Sequence, residues 1–254
     1  MKIGYLGVGA IASHMIEGFC GLDDRHEFFL SPRNEVKSAM LANKYANVNV
    51  CGSNQGVVDE SEIVFISMNA ASCPEALNEL RFTGGEMVIN LVATIPPEDI
   101  RAAIGPVRSF YHVVPLPFIS RRVGPIAAYP ESAELRKLLE PMGTVVFAGN
   151  MEEIRIMQAI TALMSSFYEM LHHLTVFAET EGLGREAAIS FTSTFFGALC
   201  QRAESFRGGD LHTLALEMTP GGLNEYCLKT LTESRVIKAW ADILPSVMMK
   251  IKPE

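Results

Sequence analysis

A short apolar strand that runs directly into a glycine-rich turn is the feature that most constrains this chain. Residues 3–12 read IGYLGVGAIA, a strand followed by the pattern G-x-G-x-x-A. Gly7 allows a tight turn, Gly9 lets the backbone approach a pyrophosphate, and the small Ala12 lets the next helix pack against the strand. The free N–H groups at the start of that helix favour phosphate binding. The predicted dinucleotide contacts here are Gly7, Val8, Gly9, Ala10, Ile11 and Ala12.

Up to about residue 149 the chain alternates short β-rich runs with helical stretches, which is typical of a doubly wound α/β sheet. Further strands are predicted at 28–30, 48–50, 63–66, 87–92, 107–113 and 144–147, and helices at 35–45, 98–104 and 132–142. The run 63–66 is apolar throughout, as a parallel strand covered on both faces requires. The spacing of Ser72 and Glu75 predicts a capping box at the start of another helix.

From Met151 onward the apolar pattern is helical only. Apolar residues recur at steps of three and four from Met157 to Ala178, which predicts one helix of about thirty residues ending near Gly182. A second stripe runs from Ile189 to Ala203. Such helices have too little chain to surround their own apolar surface, so residues 151–254 are predicted to form an all-helical dimerisation domain. Residues 1–150 are then a Rossmann-type dinucleotide-binding domain.

Burial of that apolar surface in a homodimer is therefore expected, and a higher oligomer stays possible. The alternative is that the helices pack entirely on their own N-terminal domain, and the sequence leaves it open.

Composition and charge narrow the class of partner. The net charge is −8 and no basic block occurs, which argues against a nucleic-acid or membrane partner. No apolar run approaches the ~20 residues needed to cross a bilayer. The five cysteines are scattered and never in C-x-x-C spacing, so free thiols, a cytoplasmic location and the absence of a metal site are expected. A small molecule is the predicted substrate.

The end of the second predicted strand bears on the choice of nucleotide. Chains that prefer NAD usually place an acidic residue about 20 residues after the glycines, where it binds the ribose 2′-hydroxyl. Here the strand ends in Ser31, Pro32, Arg33 and Asn34, so the acid is missing and a guanidinium suited to a phosphate is present. This pattern predicts NADP(H) in preference to NAD(H), with contacts from Ser31, Arg33 and Asn34. An ordinary solvated arginine is the alternative for Arg33.

Met68 and Asn69 are predicted to contact the cofactor as well, with an ordinary loop asparagine as the alternative for Asn69. They follow the strand at 63–66, and open α/β sheets bind ligands at the carboxyl ends of their strands.

Several segments in order along the chain resemble the pyrroline-5-carboxylate reductase family. They are the opening G-x-G-x-x-A, the loop at 31–33, the TAL run at 161–163 followed by Ser165 and Ser166, the GLGREAA run at 182–188 and the MTPGG run at 218–222. The resemblance implies an NAD(P)H-dependent reductase acting on the C=N bond of a small cyclic imine, and so a link to proline biosynthesis. It also implies an interlocked helical dimer. The substrate contacts implied by the resemblance are Ser165, Ser166, Thr219, Gly221, Gly222, Leu223 and Asn224.

The chain departs from this family where the family binds its substrate. The family's M-P-N-T-P segment appears as VPLPF at 114–118, and its S-G-S-G-P-A-Y segment as MSSFYEM at 164–170. Leu223 and Asn224 replace two threonines in a loop that donates hydrogen bonds to the substrate carboxylate in the family. Backbone N–H groups of Gly221 and Gly222 still offer donors there. A different imine or carbonyl substrate, or a regulatory protein that binds NADP without catalysis, therefore stays open.

No catalytic residue is identified from the sequence, and hydride transfer to a polarised imine needs positioning more than a strong acid or base. His112 is interpreted as a core histidine, with a proton donor as the alternative. His172 and His173 are adjacent and diverge by about 100° on a helix, so they do not predict a metal site. A hydroxyacid dehydrogenase needs a lysine early in the second domain, and residues 151–166 contain none.

Overall fold

The computed structural model describes residues 1–22 and 26–251, and its centre is one eight-stranded sheet in the order β3-β2-β1-β4-β5-β6-β7-β8. The first six strands follow the Rossmann order, which confirms the predicted fold class. The strands are β1 (Lys2–Leu6), β2 (Glu27–Leu30), β3 (Val48–Val50), β4 (Ile63–Ile66), β5 (Met87–Asn90), β6 (Ser109–Val114), β7 (Pro125–Tyr129) and β8 (Thr144–Phe147).

Strand β7 is absent from the sequence-based prediction, and it runs antiparallel to β6 while every other pairing is parallel. Its sequence PIAAY begins with proline and holds two alanines, residue types that are depleted in strands. Pairing with neighbours on both sides stabilises it instead.

Helices cover both faces of the sheet. Met15 of α1, Leu41 of α2 and Leu135 of α6 pack in one apolar cluster. Val57 of α3 and Leu77 of α4 pack in a second cluster on the opposite face, as does Ile100 of α5. The helix bounds are α1 (Ala10–Cys20), α2 (Glu35–Lys44), α3 (Asn54–Asp59), α4 (Cys73–Asn78), α5 (Pro97–Ile104) and α6 (Ala133–Leu139), and short 3₁₀ turns lie at Ala70–Ser72, Pro117–Arg121 and Glu140–Met142.

The first compact unit ends at Gln158 rather than at the predicted boundary of 150, and it also includes Ile251. The boundary lies later because the first part of helix α7 (Met151–Thr161) packs in the first unit. Ile154 of this helix is fully buried in a cluster with Ala127 and Ala148. The start of the helical half is thus part of the first unit's core.

The second unit, residues 159–250, consists of helices joined by turns and loops and contains no strand. The predicted single helix from 151 to about 182 is wrong, because α7 and α8 are separate helices. Ala162 and Leu163 lie between them and donate their N–H groups three residues back, to the carbonyls of Ala159 and Ile160, each at 3.2 Å. The apolar stripe continues through this turn and so does not reveal it. The helices of the unit are α8 (Met164–Thr180), α9 (Arg185–Ser205), α10 (His212–Leu216), α11 (Leu223–Glu233), α12 (Val236–Asp242) and α13 (Leu244–Ile251).

Apolar side chains of the second unit are largely exposed. Among residues 159–250, all of which the structure describes, the buried apolar residues are Ala159 and Ala188. Phe191 on α9 is 69% exposed and Phe177 on α8 is 64% exposed. The unit therefore lacks an apolar core of its own within one chain. No helix in the described part of the chain is both long and apolar enough to span a membrane.

Candidate cofactor-binding site

A cleft of about 580 Å³ opens at the carboxyl ends of β1, β2 and β4. It brings together predicted cofactor contacts that lie far apart in the sequence. Ala10, Ile11, Ala12 and Ser31 were predicted as well but do not line it, and Glu35, Val36 and Ser67 line it without having been predicted. The complete lining is Gly7, Val8, Gly9, Arg33, Asn34, Glu35, Val36, Ser67, Met68 and Asn69.

The two glycines of the loop are needed for different reasons. Gly7 has φ +92°, and a Cβ there would lie 2.8 Å from the carbonyl oxygen of Ser67, so the fold itself requires glycine. Ser67 also binds this loop, since its hydroxyl donates to the Gly7 carbonyl at 2.5 Å. Gly9 has φ −87°, and a Cβ there would meet no atom within 4 Å. Nothing around Gly9 requires glycine, and the open space beside it is available to a ligand.

Helix α1 begins at the cleft with its N–H groups unclaimed by side chains. The N-cap residue is Gly9, which has no side chain to accept a hydrogen bond from the first turn, and no side-chain cap is present within the described residues. The N–H groups of such an uncapped first turn, together with the positive end of the helix dipole, favour a bound anion. Ala12 is fully buried behind this turn, as predicted for the residue at the helix–strand contact.

The residues after β2 hold the glycine-rich loop in place. The Ser31 hydroxyl oxygen accepts a hydrogen bond from the Gly7 N–H at 2.9 Å, and Ser31 is buried behind the cleft rather than facing it. Asn34 donates from Nδ2 to the Val8 carbonyl at 2.9 Å, and its Oδ1 accepts from the Lys37 N–H to cap α2. These contacts connect the loop after β1 to the loop after β2.

Arg33 projects across the cleft to the loop after β4. Its Nη1 donates to the Ser72 hydroxyl oxygen at 2.9 Å, and the Ser72 hydroxyl donates to the Asn69 carbonyl at 3.3 Å. The predicted capping box is therefore wrong, because the Ser72 side chain makes no hydrogen bond to the first turn of α4. Arg33 and Glu35 contribute opposite charges to the cleft lining.

His112 is buried on β6 and is 3% exposed. Its Nδ1 lies 2.9 Å from the side-chain nitrogen of Asn90, whose Oδ1 accepts from the Val92 N–H at 2.9 Å. Burial lowers the pKa of His112 to about 4, so the ring is neutral at pH 7. This environment agrees with the core-histidine interpretation. Within the described residues, no group of three or more metal-ligating side chains occurs, and His172 and His173 belong to no such group.

The candidate substrate contacts lie in the second unit. Ser165 and Ser166 are exposed in the first turn of α8, and Thr219 is exposed in the turn before α11. Leu223 is 84% exposed and Asn224 is exposed, both in the first turn of α11.

The two backbone donors that the sequence analysis considered for a carboxylate already have partners in the chain. The Gly221 N–H donates to Glu225 Oε2 at 2.5 Å, and the Gly222 N–H donates to the Thr219 carbonyl at 3.0 Å. Glu225 was not among the predicted site residues. Its position three residues after the N-cap Gly222 is the local signal for a carboxylate that turns back to the start of its own helix.

Comparisons with known proteins agree with this architecture. Residues 2–94 match a family model described as NADP oxidoreductase coenzyme F420-dependent. The chain is 24% identical over 254 residues to pyrroline-5-carboxylate reductase 2 of Bacillus subtilis (strain 168), covering 94% of this chain and 89% of that one. The chain is thus similar in sequence, over nearly its whole length, to a pyrroline-5-carboxylate reductase.

Solved structures show a similar fold over the whole chain. The 1-pyrroline-5-carboxylate reductase of Streptococcus pyogenes superposes with a TM-score of 0.83 at 18% identity, covering 99% of this chain and 98% of that chain. The pyrroline carboxylate reductase of Plasmodium falciparum with NADP bound gives 0.83 at 14% identity, covering 99% and 97%. At these identities the structural likeness shows the fold.

Proposed function

We propose that this chain is an NADP(H)-dependent oxidoreductase of the pyrroline-5-carboxylate reductase type, which transfers hydride to the C=N bond of a small cyclic imine. The observation that carries the proposal is the cleft beside Gly9, where a glycine that the fold does not need faces open space next to an uncapped helix start. A pyrophosphate fits this arrangement, because the backbone can approach it and the free N–H groups can donate to it.

The lining residues divide the cleft into functional parts. Gly7, Val8 and Gly9 would lie against the pyrophosphate, whereas Met68 and Asn69 follow β4 at the carboxyl edge of the sheet, where a ribose would lie. Ser31 supports the loop from behind through its bond to the Gly7 N–H. The bound nicotinamide cofactor supplies the hydride, and the chain's own residues bind and orient it.

Preference for NADP(H) over NAD(H) is proposed on the charge at the end of β2. Arg33 lines the cleft and offers a guanidinium to a 2′-phosphate, while none of residues 31–34 at the end of β2 is an acid that would favour the unphosphorylated ribose. Glu35 is the one carboxylate in the cleft lining. It lies on the first turn of α2, and its negative charge opposes the binding of a phosphate dianion.

For the substrate we propose an imine or carbonyl compound whose binding relies less on a carboxylate group than the binding of pyrroline-5-carboxylate does. The loop before α11 contains Thr219. Its Gly221 N–H, however, already donates a hydrogen bond to the Glu225 carboxylate. A second carboxylate near this N–H would meet both a negative charge and a missing donor, and a missing donor costs about 1–3 kcal/mol. Leu223 adds an apolar surface to the same turn.

A homodimer formed through the helical half, residues 151–254, is also proposed. Within one chain Phe177 and Phe191 expose most of their rings, and the second unit buries hardly any apolar side chain. Exposed apolar surface on this scale is typical of subunit interfaces.

Steady-state assays with NADPH and NADH against pyrroline-5-carboxylate and a panel of cyclic imines without a carboxylate test the function. Oxidation of NADPH that depends on an imine is the expected result. Tight NADPH binding with no turnover of any compound in the panel would instead favour a regulatory protein that binds the nucleotide without catalysis.

A further inference from the structure

Ser72 has a helix-capping position in the sequence, but its hydroxyl is used elsewhere. It accepts a hydrogen bond from Arg33 Nη1 at 2.9 Å and donates to the Asn69 carbonyl at 3.3 Å. Because its single proton is directed to Asn69, the oxygen lone pairs face the guanidinium. Ser72 does not itself line the cleft, whereas Arg33 and Asn69 do.

Among the described residues, the side chain of Arg33 has Ser72 as its one hydrogen-bond partner. It is exposed, and it forms no ion pair with any residue that the structure describes. A long exposed side chain has many rotamers, and a ligand that binds it must restrict them. A fixed partner on the opposite side of the cleft reduces that cost before the ligand arrives, and it leaves the remaining N–H donors of the guanidinium unoccupied.

We propose that Ser72 is a positioning residue for cofactor selectivity, holding the Arg33 guanidinium at the cleft for the 2′-phosphate of NADP(H). The inference rests on the proposed function, since it presumes that a phosphorylated nucleotide occupies the cleft. The sequence predicts the preference for NADP(H) from residues at the end of β2 alone, and this inference adds a contribution from the loop after β4. Ser72 acts through Arg33, so its effect is confined to the phosphorylated cofactor.

Dissociation constants of NADPH and NADH for the full-length protein test this role. We expect Ser72→Ala to weaken NADPH binding about threefold to tenfold, with NADH binding changed less than about twofold. Ser72→Thr keeps a hydroxyl and is expected to restore most of the NADPH affinity. The double variant of Ser72→Ala with Arg33→Ala should match Arg33→Ala alone, because Ser72 has nothing to position once the guanidinium is gone.

Ser53→Ala is the matched control. The Ser53 hydroxyl accepts from the Gly56 N–H at 3.1 Å and caps α3, so its loss is expected to reduce stability without changing the ratio of NADPH to NADH affinity. Equal losses for both cofactors in Ser72→Ala, or additive losses in the double variant, would overturn the positioning role. If NADPH binding depends on Arg33 but not on Ser72, only this inference fails. If the unmodified protein binds no NADPH, the proposed function fails with it.

Discussion

The side-chain amide of Asn90 donates a hydrogen bond to Nδ1 of His112, across the paired strands β5 and β6. The Asn90 orientation follows from its Oδ1, which accepts from the Val92 N–H. Nδ1 of His112 is therefore the unprotonated nitrogen, and the ring proton is on Nε2. This buried polar pair favours the neutral ring and has a consequence for stability.

The free energy of unfolding is expected to fall as the pH drops from about 6.5 to about 4. Burial lowers the folded-state pKa of His112 to about 4, while the unfolded chain takes up a proton near 6.5. The unfolded state therefore binds more protons in this window, and about 3 kcal/mol of stability is lost across it. Denaturant unfolding at several pH values measures the slope. His112→Gln should flatten that slope, and an unchanged slope would contradict the assignment.

Substitution of the two loop glycines is expected to separate stability from binding. Gly9→Ala adds a methyl group that meets no protein atom, so the melting temperature should be unchanged while NADPH affinity falls about tenfold or more. Gly7→Ala places a Cβ against the Ser67 carbonyl at positive φ and should destabilise the fold by about 2 kcal/mol. Thermal melts and NADPH titration of both variants test this. An unaltered NADPH affinity in Gly9→Ala would remove the pyrophosphate from this position.

Arg33→Ala is expected to weaken NADPH binding about tenfold or more and to leave NADH binding nearly unchanged, because a hydrogen bond to a charged group contributes about 1.5–3 kcal/mol. Titration of both cofactors measures the difference. Arg121→Ala removes an exposed arginine that does not line the cleft, and it serves as the control. Similar losses of both cofactors in Arg33→Ala would exclude Arg33 from the 2′-phosphate site.

A second cleft substitution, Glu35→Gln, should act in the opposite direction. Removing the carboxylate from the lining is expected to strengthen NADPH binding about twofold to fivefold, with less effect at high salt because exposed charges are screened. NADPH titrations at two ionic strengths check this, and a weakened NADPH affinity would indicate that Glu35 itself binds the cofactor.

Phe191→Asp is expected to disrupt the assembly of the protein. Phe191 is 69% exposed in one chain, so a charge there is harmless to a monomer but costly inside a subunit interface. Light scattering after size-exclusion chromatography measures the mass. Val123→Asp places the same charge on an exposed apolar residue of the first unit and should leave the mass unchanged. A monomeric unmodified protein would refute the dimer proposal.

Glu225→Gln is expected to improve turnover of a carboxylate-bearing imine about tenfold in kcat/KM, because it removes a negative charge and loosens the bond that occupies the Gly221 N–H. Glu233→Gln, at the other end of α11, is the control. Adding Leu223→Thr and Asn224→Thr should raise the rate further. If the unmodified protein already reduces pyrroline-5-carboxylate at about 10⁴ M⁻¹s⁻¹ or faster, the proposed substrate class is wrong.

Much of the first unit could be predicted because its signals are local. The period of apolar residues marks β1 and β4, and the glycine spacing marks the turn before α1, since each depends on neighbours within a few residues. Interruption of the long helix at Ala162 and Leu163 could not be predicted, because no glycine or proline marks the turn and the apolar stripe passes through it. Strand β7 was missed because strand pairing, and not its own composition, stabilises it.

By itself the sequence determined the Rossmann-type fold class, the glycine-rich loop and the missing acid at the end of β2. Only the tertiary structure decided which partners the polar groups of the site take. Ser31 supports the Gly7 N–H, Ser72 binds Arg33 from another loop, and Glu225 takes the Gly221 N–H. A residue type states what a side chain is able to donate or accept, but the folded chain sets which group lies within about 3 Å of it, and that distance determines the bond.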